Sequence, residues 1–272
     1  DMHRYIATTL RHRSGSGENH AEQGVTGVVP LPGNNPDYHF RLSTAAELLV
    51  ESNPLKQYTL TANNDTMGDS GSYPIHNFPT HDARAKRIEE LLQKRESNFT
   101  TAYFADMQLD LLDVRARELV PNILQSLKSQ PQHEGLETAI KLLSDWDYVT
   151  TIDSKAACIF YPLLEQRSHI QFMETVLGKS PLISTMSSIA PALNRFDISH
   201  FMAEGSPWGA HRDALNKIIA DNVIAIVEYL TRHYVDDWSW GKIHQIHFGH
   251  SLRKHKPWQA IHVGPDPIGG SA

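Results

Sequence analysis

The chain has 272 residues, of which 40% are hydrophobic and 21% charged, and its formal net charge is −6. This composition fits a globular protein rather than a disordered one and leaves room for one large domain or two small ones around a sizeable core. A negative balance gives a polyanion no general attraction, and no apolar run approaches the roughly 20 residues that span a bilayer. Neither nucleic acid nor a membrane is therefore expected as a partner.

In chain order, residues 5–10 (YIATTL) read as a strand and residues 11–24 as a polar loop punctuated by Gly and Ser. Residues 25–31 form a β-like run cut by Gly27 and Pro30, and LPGNNP makes a turn. Ser43 caps a short helix reaching Val50, which Asn53 and Pro54 end. The β-rich run Tyr58–Thr61 leads into Asn63, Asn64 and Asp65, followed by a loop rich in Gly, Ser, Asp and Pro. His81–Arg95 predicts an amphipathic helix with Ala85, Ile88, Leu91 and Leu92 on one face. Thr100–Lys128 reads as one longer helix broken or kinked at Pro121, Leu136–Trp146 as the next, and Ser154–Leu177 as another, bent near Pro162.

Pro181–Leu193 carries a further helical signal. Arg212–Tyr234 gives the most complete pattern, since Leu215, Ile218, Ile219, Val223, Ile224, Ile226, Val227 and Leu230 cover more than half its circumference and predict burial on most sides. Lys242–Phe248 is β-like, and the closing Gly-Pro-Asp-Pro-Ile-Gly-Gly-Ser-Ala reads as a poor end for a compact domain. The expected class is α+β: β and loop over 1–80, a mainly helical block over 81–235, and a return to β and loop over 236–272.

The stretch Tyr58–Leu92 gathers the chemistry: a paired amide, a long polar loop, and Arg84 at a helix start. Asn63 is either a site amide or a turn amide, and Arg84 either a site cation or a salt-bridged first-turn residue. Arg87 reads as a solvated helix residue. Cys158, within AACIF, reads as a buried inert thiol, and as the single cysteine it excludes an internal disulfide. His244, His247 and His250 are spaced by three, but a strand would not align them on one face, so a zinc site is not expected. Asp65 and Asp69 are either calcium ligands or solvated loop carboxylates. Asn64 and Asn98 open glycosylation sequons. Trp238 and Trp240 either line a pocket or fill core.

The ordered motifs VPLPG, NP, YTLTANND, YP, ARAKRIEELL, DMQLD, LVP, a helix ending in WD, WSWGKIHQIHFGHSL and GPDPIGGS resemble the penicillin acylase (penicillin amidase) family of N-terminal nucleophile hydrolases over nearly the whole chain. The resemblance implies a four-layer αββα sandwich with a large helical insertion, of which this chain is the middle-to-late part of the β chain. It implies a precursor that cuts itself into an α and a β chain, and amide hydrolysis through an acyl-enzyme on an N-terminal Ser. It implies a periplasmic or secreted location. The partners implied are the α chain, the remaining β-chain segment and a small-molecule acyl amide. No cofactor is implied for the chemistry, and a structural calcium is compatible with the family.

Carried over by position, Asn63 is the oxyanion-hole asparagine and Arg84, four residues before Ile88, is the supporting arginine. Asp1 has neither hydroxyl nor thiol, so the resemblance puts the nucleophile on a segment absent from this chain. The alternative is a catalytically silent binding or structural module that retains the acylase architecture.

Overall fold

A computed structural model describes residues 5–6, 50–51, 54–64, 82–95, 97–166, 168–180, 183, 198–203, 205–235, 238–249, 251–252 and 262–270. It is a mixed α/β structure dominated by helices, with short antiparallel strand pairs. The chain divides into two compact units, Asp1–Ala85 and Lys86–Ala272. The expected loop over 11–24, the β-like run over 25–31 and nearly all of the helix over 181–193 lie outside the described residues.

In the first unit, β1 (Tyr5–Ile6) pairs antiparallel with β2 (Val50–Glu51), Ile6 opposite Val50. Val50 was expected to end a helix. It is instead a strand residue. Residues 58–61, expected as a strand, form none. Their β propensity amounts to fitness for a pleated surface, and among the described residues no strand pairs with them. Pro54 starts a turn that closes through Gln57 N–H on the Pro54 carbonyl at 2.8 Å, with Gln57 in the left-handed region (φ 61°).

Helix α1 (Ala83–Gln93) lies within the expected span, with Ala85 and Leu92 buried. The expected single helix over 100–128 is two: α2 (Thr101–Gln108) and α3 (Val114–Lys128). The break falls at residues 109–113 rather than at Pro121. Asp113 caps α3 by accepting from Ala116 N–H at 3.1 Å, and Leu112 bridges to Val149. Pro121 sits inside α3 on an exposed position, and the helix continues through it because Val120, Ile123 and Leu127 are buried around it. Helix α2 buries nothing, and Phe104 is stacked on Phe99 at the surface instead of entering a core.

Helix α4 (Glu134–Ser144) starts at a His133 cap, with Glu134 and Glu137 in its first turn and Lys141 in its last, each matched to the helix dipole. The expected helix over 154–177 is also two, α5 (Ala157–Glu165) and α6 (Ser168–Leu177). Here too the proline, Pro162, lies within a helix, and the break comes after it. A short α7 (Ile198–Met202), outside every expected element, precedes a 3-10 turn (Gly209–His211) and α8 (Arg212–Tyr234), whose bounds are those read from the sequence.

Helix α8 is the axis of the second unit. It packs against α3, α4, α5 and α6, burying Leu215, Ile219, Ala220, Val223, Ile226, Val227 and Leu230. Each large aliphatic side chain so buried contributes about 1.5–3 kcal/mol. Its one buried polar residue, Asn222, is satisfied: Nδ2 donates to Ser168 Oγ at 2.9 Å and to Gln171 Oε1 at 3.0 Å.

The run expected as a strand from Lys242 begins instead with a turn of helix, α9 (Trp240–Ile243), and β3 starts at Gln245. Strand β3 (Gln245–Gly249) pairs antiparallel with β4 (His262–Pro267), so the Gly-Pro-Asp-Pro segment is structured rather than a loose end. A Cβ on Gly264 would stand 2.3 Å from the Ile246 carbonyl oxygen, and its φ of +89° suits glycine. The ribbon is anchored by a stack of rings: Tyr161 on Trp240 (4.7 Å) and Trp240 on His244 (4.8 Å). Tyr161 O–H donates to Asp113 Oδ2 at 2.5 Å, tying α5 to the start of α3. Trp238 and Trp240 are buried in the hydrophobic core.

Candidate active site

The two residues singled out for the site meet in the first unit. Asn63 lies in a bend with φ of 62°, a left-handed conformation that Asn tolerates better than most residues. Arg84, in the first turn of α1, reaches back to it. Its Nη2 donates to Asn63 Oδ1 at 2.6 Å and to the Ala62 carbonyl at 2.9 Å. A guanidinium only donates, so the carboxamide must turn its oxygen toward Arg84, which puts its NH₂ on the other side of Cγ. Asn63 and Arg84 are both exposed. The next residue completes the bend, with Ala62 N–H donating to Asn64 Oδ1 at 3.0 Å.

One turn further along α1, in the second unit, Arg87 is not the solvated residue expected. Its side chain is only 14% exposed and forks onto Asp110, with Nε to Oδ1 and Nη2 to Oδ2 both at 2.7 Å. Its Nη1 also donates to Glu90 Oε2 at 3.0 Å, and Glu90 in turn accepts from Arg117. Hydrogen bonds from Arg87 hold the Asp110 carboxyl below its usual range. Glu90 is held low chiefly by Arg117, with Arg87 second. A cation in a helix pattern is legible from sequence, but its partner 23 residues away is not.

The remaining candidates separate clearly. Cys158 is buried in α5, and desolvation pushes its thiol up to about 12, so it carries no thiolate near neutrality. His244 stacks on Trp240 and its Nδ1 lies 3.1 Å from the Ile268 carbonyl, while His247 lies in β3. Among the described residues, no group of three or more His, Cys, Asp or Glu could hold a metal ion. His250, His255, Asp65 and Asp69 lie outside the described residues, so no calcium ligand set is traced here. Among the described residues, no helix is long and apolar enough to cross a membrane.

This is a helix-dominated mixed α/β protein in which an arginine holds an asparagine carboxamide at a bend. A family model described as penicillin amidase matches residues 5–272, and the chain belongs to that family. No curated protein matches it.

Proposed function

We propose that this chain is part of an amide-bond hydrolase of the acylase type, built on the αββα sandwich. The reaction runs through an acyl-enzyme on an N-terminal Ser, supplied by a further segment of the same precursor. The substrate is a small linear acyl amide. Asn63 is the oxyanion donor, its NH₂ stabilising the charge that develops when the carbonyl is attacked, an effect of about 3–4 kcal/mol for a comparable donor. Arg84 orients that amide through its oxygen. The observation that carries the reading is the bond from Arg84 Nη2 to Asn63 Oδ1, in a chain that belongs to this family. A periplasmic or secreted location and self-cleavage of the precursor belong to the same proposal, as does a structural calcium.

The test begins with native material. Intact mass spectrometry and N-terminal sequencing should show a second chain beginning with Ser, Thr or Cys that co-purifies. The assembled protein should release acyl product from a chromogenic amide. A folded preparation holding this chain alone, without amidase activity, would sink the enzyme reading in favour of a silent module.

A further inference from the structure

Resting on the reading of Asn63 as an oxyanion donor, we propose that Asn64 is a positioning residue that fixes the backbone conformation of Asn63 and thereby aims its amide. The Ala62 N–H donates to Asn64 Oδ1 at 3.0 Å. That bond closes a ring running from Ala62 N through the whole backbone of Asn63 to the Asn64 side chain. Both backbone torsions of Asn63 lie inside the ring, so the bond restrains them.

The constraint matters because Asn63 stands at φ 62°, a left-handed conformation that Asn tolerates better than most residues and that the neighbouring contacts hold in place. The same peptide is gripped at its other end, where the Ala62 carbonyl accepts from Arg84 Nη2 at 2.9 Å. Ala62 is itself buried, which gives the ring a fixed foot. Arg84 thus holds the amide's oxygen, and Asn64 holds the backbone from which the amide projects. The second asparagine of the pair touches no reacting atom in this scheme and acts through the first.

The experiment uses the assembled, processed protein and a chromogenic amide. Asn64→Ala should lower kcat about 3–10-fold, the worth of roughly one net hydrogen bond, with KM nearly unchanged. Asn64→Asp keeps an acceptor oxygen and should retain most of kcat. In an Asn63→Ala background, Asn64→Ala should have no further effect, because its route to catalysis is already gone. Hydrogen exchange at the Ala62 amide should accelerate in Asn64→Ala and not in Asn64→Asp.

Undiminished kcat in Asn64→Ala overturns the proposal. So does an equal loss in Asn64→Asp, a loss that persists in full in the Asn63→Ala background, or unchanged exchange at Ala62. A different pattern, full activity in Asn63→Ala alone, overturns the oxyanion reading on which the proposal rests.

Discussion

Asn63 and Arg84 stand 21 residues apart in the chain and meet through one nitrogen. If Arg84 works by orienting the amide, its replacement should act on the transition state more than on substrate binding. Arg84→Ala in the assembled protein should lower kcat by about 10-fold or more while KM moves little, a split that steady-state kinetics reads directly. A second residue-scale prediction concerns Gly264. A Cβ there meets a backbone oxygen, and its φ is positive, so Gly264→Ala should destabilise the chain by about 1–3 kcal/mol in urea unfolding. How much of the site was legible depended on what kind of fact each residue needed. Asn63 and Arg84 are candidates because their motif positions carry over, and the two meet in space. Arg87 could not, because helical periodicity reports a face and never the partner that waits across it.

At the scale of elements, neither helix break falls at a proline. Pro121 and Pro162 invited breaks, yet α3 and α5 run through both. A helix interrupted by a missing N–H survives where buried side chains on its other faces hold it, and those faces become visible only after packing. What stops the chain at residues 109–113 is local: Asp113 caps α3, and Asp110 is drawn into the fork with Arg87. The ion cluster Arg87, Asp110, Glu90 and Arg117 yields a pH prediction. Both carboxyls titrate lower in the folded chain than in the unfolded one. Their stabilisation is therefore complete above the unfolded carboxylate range, near pH 4, and is lost as pH falls through the lower folded values. Thermal unfolding followed from about pH 6 to pH 3 should show the midpoint falling on acidification. Asp110→Asn should already be destabilised at neutral pH, by about 1–3 kcal/mol, and should show a shallower acid fall.

At the scale of the whole molecule, α8 was the most legible element because its pattern is wide and continuous, and its centrality follows from that width: a helix apolar on most sides must be surrounded. Ile219→Ala should cost about 2–5 kcal/mol in chemical denaturation, whereas Lys217→Ala, exposed two positions away, should stay within about 0.5 kcal/mol. The strands were less legible: β1 falls inside the expected strand over 5–10 and β3 overlaps the run from Lys242, but β2 has only two residues, which leaves no period to read, and β4 includes the Gly-Pro-Asp-Pro read as a poor domain end. Membership of the penicillin amidase family joins these scales, and the proposed function ties the bend at Asn63 to acyl transfer. The most direct test of that tie is the acylation rate of the assembled protein with and without the Asn63 amide, measured in a single turnover on a chromogenic amide. Asn63→Ala should slow acylation about 10²–10³-fold while substrate binding changes little. An acylation rate equal to that of the unaltered protein would contradict the account.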